Sequence, residues 1–396
     1  MKRVKFFLIL LFIFLGVVHP ALVDIYKRGV VTLIEDPNYG KGNDWVSLFY
    51  DEQKSIALAP DGSVFVSNSN QHNIYKFGAD GKYLSRFSQL GNGPGDSFYP
   101  DLTSILDGKY MVVGEYAANR KISLFDFTGK IYKVIKTNRS VFYPIALKNN
   151  KIAYFFYDDR PIKKLVTDGI TNVVIKDILS GEEKIIDKFE RIQRIALNKS
   201  GKGGFGFGPE VNGDVLIRKT KDGNLMIGAT MTPEIKIYSP EGKLIQVFKL
   251  SLVRQRVTDE FIKFSKEKFI KEFEEMVTRE RFSSELIKQL KSVSFDSLVG
   301  DYLPYYSDLT IDSDGNLLVF PNRYCKGGCN PKIQVYSQMG QHLCDFTIDE
   351  SKTRYTSLSP ATGKQRYIFT EKAIYAIVKR TDTDDIEIHL VKYNLK

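Results

Sequence analysis

The chain has 396 residues, of which 43% are hydrophobic and 26% are charged, and its net charge is +10. This balance excludes an intrinsically disordered chain, and its basic residues are scattered rather than gathered in a block, which argues against nucleic-acid binding. The 27 Phe and 22 Tyr residues favour β structure.

The N-terminal stretch has the pattern of a secretory signal. Three basic residues among the first five precede an apolar run over residues 6–18, which is too short for a stable membrane span. Ala21 is the nearest small residue for cleavage. We therefore expect residues 1–21 to be a signal peptide. Residues 22–396 would form a single domain, exported to the periplasm or the extracellular space without a further membrane span. An uncleaved N-terminal membrane anchor is the alternative.

A repeated pattern of strands and glycine turns organises the rest of the chain. Its first clear copy begins at Ser55 and has turns at Gly62 and Gly81. Asp-Gly between alternating apolar residues is a strong hairpin signal, because glycine accepts the positive φ that the turn demands. Four short strands in about 40–50 residues are the period of a propeller blade. Further copies have their turn glycines at Gly108 and Gly129, Gly223 and Gly242, and Gly315 and Gly340.

Two weaker units complete the predicted ring. One covers residues 145–189, and the other is a three-stranded unit at the C-terminus. The strand at 29–36 has no unit of its own, and pairing it with the last three strands would remove two open sheet edges. We therefore predict an all-β fold, a six-bladed β-propeller of four-stranded antiparallel blades in which the N-terminal strand closes the last blade.

Residues 257–293 interrupt the β pattern. Ile262, Phe269 and Phe273 recur near helical spacing, and Thr258 can cap the start of a helix. This pattern predicts one long helix and a short second one, inserted between blades four and five.

The first two copies resemble NHL-type repeats. Residues 73–87 form a strand, a Gly turn and a strand, and residues 91–100 follow as a Gly-Pro-Gly connector that ends in Pro. Residues 71–73 occupy the loop that gives the family its name, and residues 119–121 occupy the same place one blade later. With its helical insertion, the whole chain is similar to the six-bladed propeller proteins that many bacteria export, a family without a settled activity.

In propellers of this kind, the middle loops of the blades and the connectors between blades share one face. Connectors 91–100 and 190–210 and the helical insertion would rise there together. Binding groups concentrate on loops that a rigid scaffold holds in place. The residues that we predict to contact a ligand on this face are Asn70, His72, Glu115, Asn119, Arg120, Asp158, Arg160, Asn322, Arg323 and Tyr324.

The sequence contains no recognisable set of catalytic residues, since histidine is scarce and the G-x-S-x-G motif is missing. We therefore expect an exported binding module for a peptide, a glycan or a partner protein, without a cofactor. The alternative is a metal-assisted lactonase, lyase or hydrolase at the channel mouth. It would hold calcium with Glu115, Asp158 or Asp159 together with Asn119, an idea that rests on fold analogy. A third reading is a subunit of an envelope complex that docks through residues 257–293.

Cys325 and Cys329 bracket Lys-Gly-Gly in a predicted loop. In an exported protein this spacing favours a small disulfide. A zinc site would need two further ligands, and none lies close in sequence, so we predict no metal. Cys344 lies in an apolar strand, which indicates a buried thiol, and its pairing with either loop cysteine is left open.

Overall fold

The computed structural model describes most of the chain that follows the predicted signal peptide. The described residues are 21–49, 54–115, 120–159, 166–198, 204–207, 213–280, 300–322, 324, 332–353, 367–380 and 387–396. They begin with the short helix α1 (Leu22–Tyr26), strand β1 (Val30–Glu35) and the short helix α2 (Trp45–Leu48). The sequence pattern predicted neither of these helices.

Four antiparallel sheets follow in chain order, and each is a run of consecutive strands. The first sheet contains β2 (Lys54–Leu58), β3 (Val64–Asn68), β4 (Asn73–Phe77) and β5 (Tyr83–Phe87). The second contains β6 (Pro100–Leu106), β7 (Tyr110–Glu115), β8 (Lys121–Phe125) and β9 (Ile131–Lys136). The third contains β10 (Phe142–Ala146), β11 (Lys151–Asp159), β12 (Val166–Asp177), β13 (Glu183–Asn198) and β14 (Gly204–Phe207). The fourth contains β15 (Val215–Lys219), β16 (Leu225–Ala229), β17 (Glu234–Tyr238) and β18 (Leu244–Lys249).

The remaining strands form one eight-stranded sheet in the order β19-β20-β21-β22-β1-β25-β24-β23. Its later strands are β19 (Tyr306–Ile311), β20 (Leu317–Pro321), β21 (Ile333–Tyr336), β22 (His342–Asp349), β23 (Tyr367–Phe369), β24 (Ala373–Lys379) and β25 (Ile388–Leu395).

Strand β1 accounts for the size of this sheet. It pairs antiparallel with β25, where Leu33 lies opposite Leu395, as the prediction for the N-terminal strand requires. It also pairs parallel with β22, where Val30 lies opposite Thr347. The structure therefore differs from the prediction of six separate four-stranded sheets, because β1 merges strands assigned to two blades into one sheet. The third sheet also differs, since β14 gives it a fifth strand.

Hydrophobic clusters between neighbouring sheets give the molecule a propeller-like arrangement. Phe65 of the first sheet shares a cluster with Met111 of the second. At the other end of the chain, Leu390 of β25 shares a cluster with Ile56 of β2. Neighbouring sheets thus pack face to face in chain order, and the last sheet packs against the first.

The glycine turns of the repeat have the predicted conformation. Their φ angles lie between 66° and 94° in the part of the chain described, a region that only glycine enters without strain. These turns are at Gly62, Gly81, Gly108, Gly129, Gly223, Gly242, Gly315 and Gly340.

Helix α3 (Asp259–Glu280) lies between β18 and β19 in the chain. The backbone N–H of Phe261 donates a 3.2 Å hydrogen bond to Oγ1 of Thr258, which caps the helix as the sequence predicts. Phe261 is buried with Leu303 in a small cluster of its own. Residues 281–299, which include the predicted second helix, lie outside the described residues.

Candidate functional site

The middle loop of the first sheet and the connector to the second sheet lie at the same end of the ring. In the first sheet, Lys54 pairs with Asn68, and Asn68 pairs with Asn73. The start of β2, the loop 69–72 and the end of β5 are therefore at one end. Oγ of Ser69 donates to the carbonyl oxygen of Pro100 at 3.2 Å, which joins this loop to the connector. We call this end the loop face.

Glu115 holds the end of the connector against the second sheet. Its carboxylate accepts hydrogen bonds from Oγ of Ser97 at 2.9 Å, from the N–H of Phe98 at 2.9 Å and from the N–H of Tyr99 at 2.8 Å. Glu115 is only 2% exposed. The structure thus uses this predicted ligand contact to order the connector, and we leave it out of the proposed binding surface.

Lys121 and Asp96 fix the glycine-rich part of the connector. The Lys121 ammonium donates to the carbonyl oxygens of Gly93 at 2.9 Å and of Asp96 at 2.6 Å. Burial lowers the pKa of Lys121, and the nearby carboxylates of Glu115 and Asp96 oppose that shift. A Cβ at position 93 would lie 2.7 Å from Oδ2 of Asp96, so a larger residue there would displace this carboxylate. These hydrogen bonds tie the connector to β8, and it forms one wall beside the first sheet.

A groove of about 600 Å³ runs along this wall between the first and second sheets. Its apolar surface comes from Phe87, Leu90 and Phe125, and the side chain of Leu90 is 57% exposed. Polar side chains from the middle loop, from β5 and from the connector surround this surface. The full lining is Gln71, His72, Asn73, Arg86, Phe87, Ser88, Gln89, Leu90, Gly95, Asp96, Phe125 and Gly129.

Two groove residues adopt a left-handed backbone although neither is glycine. His72 has φ 61° and Ser88 has φ 67°. The Nδ1 atom of His72 is hydrogen-bonded to the carbonyl oxygen of Phe98, and its ring packs edge-on against Tyr99 with centroids 6.1 Å apart. Oγ of Ser88 is buried and has no hydrogen-bond partner among the described residues. Five of the seven described non-glycine residues with positive φ lie outside the groove, so the stronger indication of a site here is the buried, unpaired Oγ of Ser88.

Arg86 brings an available positive charge to the groove. Its side chain is exposed, and no carboxylate of the described chain forms an ion pair with it. Asp96 also lines the groove, but its Oδ2 accepts a 3.0 Å hydrogen bond from the N–H of Gly93. The guanidinium of Arg86 therefore has free donors for a carboxylate or another planar anion.

The structure brings few of the other predicted residues to this groove. Asn70 is exposed next to it, and Arg120 and Asp158 are exposed elsewhere. Nη1 of Arg120 lies 3.5 Å from the carbonyl oxygen of Asn138. Asn322 is half-buried, and its N–H donates to the carbonyl oxygen of Tyr305. The predicted contacts Asn119, Arg160 and Arg323 and the predicted disulfide Cys325–Cys329 lie outside the described residues.

Tyr324 has a structural neighbour that the sequence did not indicate. Its ring packs edge-on against Phe261 with centroids 5.0 Å apart, and at a tilt against Phe264 with centroids 5.4 Å apart. The side chain of Gln255 holds its backbone, donating to its carbonyl oxygen and accepting from its N–H, both at 3.0 Å. Tyr324 therefore anchors the first turn of α3 to the eight-stranded sheet.

Sequence reasoning missed Arg86, Ser88 and Gln89. An arginine in an outer strand, followed by polar connector residues, has the pattern of an ordinary exposed edge. The one sequence feature that could have indicated them is their position directly before the predicted connector. The unpaired hydroxyl of Ser88 and the unpaired charge of Arg86 depend on tertiary contacts, which a local pattern does not contain.

Within the described part of the chain, no group of three or more His, Cys, Asp and Glu side chains could hold a metal ion. Cys344 is half-buried in β22 and forms no disulfide with a described residue. Burial raises the pKa of its thiol. Among the helices described, none is long and apolar enough to cross a membrane.

Comparison with known proteins supports the fold and leaves the function open. No protein-family model and no curated protein matches the chain. A candidate exported protein from Bacteroides fragilis NCTC 9343 is 13% identical, covers 93% of this chain and 96% of its own, and superposes with a TM-score of 0.50. A gluconolactonase from Xanthomonas campestris is 10% identical, with 88% of each chain covered and a TM-score of 0.44.

A propeller domain also superposes on the chain. The Cps50 (Swd1) β-propeller domain from Myceliophteria thermophila is 9% identical, with 88% of this chain and 98% of that chain covered and a TM-score of 0.41. At such low identity these likenesses concern the fold alone. The all-β, propeller-like fold of the chain follows from its own sheet order and from the clusters between neighbouring sheets.

Proposed function

We propose that this chain is an exported binding module that recognises an acidic segment of a peptide or partner protein in the groove of the loop face. The observation that carries the proposal is the free guanidinium of Arg86 beside the strained residues His72 and Ser88. A carboxylate would pair with Arg86, and the side-chain amides of Gln71 and Gln89 would orient polar groups next to it. Leu90 and Phe87 offer apolar contact area.

The proposal includes a propeller of six blades. Division of the eight-stranded sheet at the parallel β1–β22 pairing leaves β19–β22 as one blade and β23–β25 with β1 as the next. Added to the four separate sheets, these make six. We also propose that the chain is related to NHL-type repeat proteins and that residues 22–396 form a single domain. Residues 1–21 would direct its export.

Paired peptide arrays test the ligand class. Each acidic peptide is printed beside its amide version, with Asn for Asp and Gln for Glu, and bound protein is measured on both. We expect the acidic versions to bind better and Arg86→Ala to remove that preference. For the best peptide, fluorescence anisotropy should show a Kd weakened about tenfold by Arg86→Ala, or ~1.4 kcal/mol.

Arg28→Ala is the matched control, because Arg28 is also exposed and lies outside the groove. It should leave peptide binding unchanged. Equal binding of acidic and amide peptides would contradict the proposed ligand class. Retention on a glycan array with no peptide binding would favour a sugar ligand instead.

A further inference from the structure

A second cavity lies on the axis of the ring, away from the groove. Its volume is about 340 Å³, and the innermost strands β2, β6, β10, β15, β19 and β23 all contribute to its wall. Seven of its fifteen lining residues are aliphatic, and Asp312 is the one carboxylate among them. The lining residues are Ile56, Ala57, Leu58, Ser104, Ile105, Ile145, Arg218, Lys219, Thr310, Ile311, Asp312, Ser313, Ile368, Phe369 and Thr370.

Lys219 places a positive charge in this cavity without a close counter-ion. It is the exposed residue of β15 and one of the residues that line the cavity. Its ammonium lies 3.5 Å from the carbonyl oxygen of Ile105, and no carboxylate of the described residues lies within ion-pair distance. The surrounding protein lowers the pKa of Lys219, the neighbouring Lys148 lowers it further, and Asp107 raises it in part.

The other cation in the wall is already neutralised. Arg218 donates to Oδ1 of Asp308 at 2.7 Å and to the carbonyl oxygens of Leu309 and Ile217 at 2.8 Å each. Its side chain is 8% exposed. Of the two wall cations, Lys219 is therefore the one whose N–H donors remain for a ligand.

Two hydroxyl groups add hydrogen-bonding capacity. Oγ of Ser313 is buried and has no partner among the described residues. Oγ of Ser104 accepts a 2.6 Å hydrogen bond from the N–H of Ala146, which leaves its own hydrogen to donate. A buried polar group without a partner is costly unless a ligand or a water satisfies it.

We propose that the axial cavity is a second ligand site, which takes a small organic carboxylate on Lys219 with its short apolar body against the aliphatic wall. An anion would supply the counter-charge that Lys219 lacks, and the hydroxyl of Ser104 could donate to its oxygens. The apolar wall favours a carboxylate with a short carbon chain over inorganic phosphate. This site is separate from the groove and does not depend on the proposed peptide binding.

Binding of a carboxylate at Lys219 should depend on pH. A bound carboxylate favours the charged form of Lys219 and raises its pKa, so binding is coupled to proton uptake by the amine. Affinity is greatest between the pKa of the carboxylic acid and the lowered pKa of the free lysine, and it falls as pH rises through the latter. Lys148 and Asp107 are the charged groups that act on the same amine. The carboxylate of Asp312, whose pKa is raised by burial, lines the same cavity.

Isothermal titration of the whole protein with butyrate tests the site. Butyramide is the neutral control of the same shape, and inorganic phosphate tests the need for an apolar body. We expect saturable butyrate binding, with butyramide and phosphate each at least about tenfold weaker. No saturable butyrate binding, or equal binding of butyrate and butyramide, would overturn the proposal without any variant.

Lys219→Met removes the charge and keeps most of the side-chain length. It should weaken butyrate binding at least about tenfold, whereas Lys221→Met, an exposed lysine outside the cavity lining, should not. A thermal unfolding curve confirms that each variant is folded, and Lys219→Gln replaces Lys219→Met if the latter is not. Unchanged butyrate binding in a folded Lys219 variant would also overturn the proposal.

Discussion

The carboxylate of Asp314 accepts a 2.7 Å hydrogen bond from the backbone N–H of Leu22, 292 positions earlier in the chain. Leu22 is 1% exposed, and Tyr26 in the same helix stacks on Phe346 with ring centroids 4.5 Å apart. The segment that directly follows the predicted signal peptide is therefore part of the folded core. It docks α1 against the eight-stranded sheet next to β1.

Asp314→Ala should lower the free energy of unfolding by about 1–2 kcal/mol, because it removes a charged acceptor from a partly buried N–H. Asp222→Ala is the control, since Asp222 occupies the same Asp-Gly turn position in the fourth sheet and is exposed. Urea unfolding can be followed by the fluorescence of the single Trp. Equal stability of the two variants would mean that Asp314 does not hold α1.

Glu115→Ala should destabilise the protein by about 3 kcal/mol, because Ser97, Phe98 and Tyr99 would lose the acceptor that satisfies them. Glu115→Gln keeps one acceptor oxygen and should cost less. Limited proteolysis checks the location of the effect. Cleavage in Glu115→Ala should increase within residues 91–99, and cleavage elsewhere would contradict the role of Glu115 in holding the connector.

A buried hydrogen-bond network joins three of the inner strands. Two substitutions within it should lower the free energy of unfolding by different amounts. Asp308 accepts from Nη2 of Arg218 at 2.7 Å and from the hydroxyl of Tyr367 at 2.6 Å. Asp308→Asn leaves Arg218 as an uncompensated buried cation and should cost about 3 kcal/mol or more. Tyr367→Phe removes one hydrogen bond and should cost about 1–2 kcal/mol. Chemical unfolding that ranks them in the reverse order would contradict this view of the network.

Asp177 should contribute to the loss of protein stability at low pH. Its carboxylate accepts a 2.5 Å hydrogen bond from Lys151, and this contact, with the N–H groups of Ser180 and Leu179, lowers its pKa to about 2. The unfolded value is about 3.9. Because the folded pKa is the lower one, the stabilisation is present above about pH 4 and is lost as pH falls towards about 2.

The comparison of wild type with Asp177→Asn measures this contribution. The melting temperature of the wild type should fall more steeply than that of the variant between about pH 4 and pH 2. Above that range the difference between the two should be constant. Parallel curves through the acid range would show that Asp177 has the same pKa in the folded and unfolded chain.

The predicted elements that agree with the structure are local ones. The Asp-Gly turns at Gly62 and Gly315 join strands only a few residues apart, so sequence neighbours alone determine the hairpins. Thr258 caps α3 for the same reason. The count of separate sheets was wrong because β1, which was predicted to complete the last blade, also pairs in parallel with β22, and the repeat pattern contains no signal for that second pairing.

The candidate site was predictable in part. The Gly-Pro-Gly connector and His72 stood out in the sequence, and both border the groove. The unpaired charge of Arg86 did not stand out, because it depends on where the fold places the carboxylates. Glu115 and Tyr324 were predicted as ligand contacts from their loop positions, yet one holds the connector and the other holds α3.

By itself, the sequence determined the all-β class, the hairpin turns and the segments that interrupt the repeat, since backbone preference and side-chain alternation act over a few residues. Tertiary structure alone decided that β1 joins β22, that Leu22 pairs with Asp314, and that Lys219 faces an axial cavity without a counter-ion. Each of these depends on contacts between residues far apart in the chain, and their energies arise only when the ring closes.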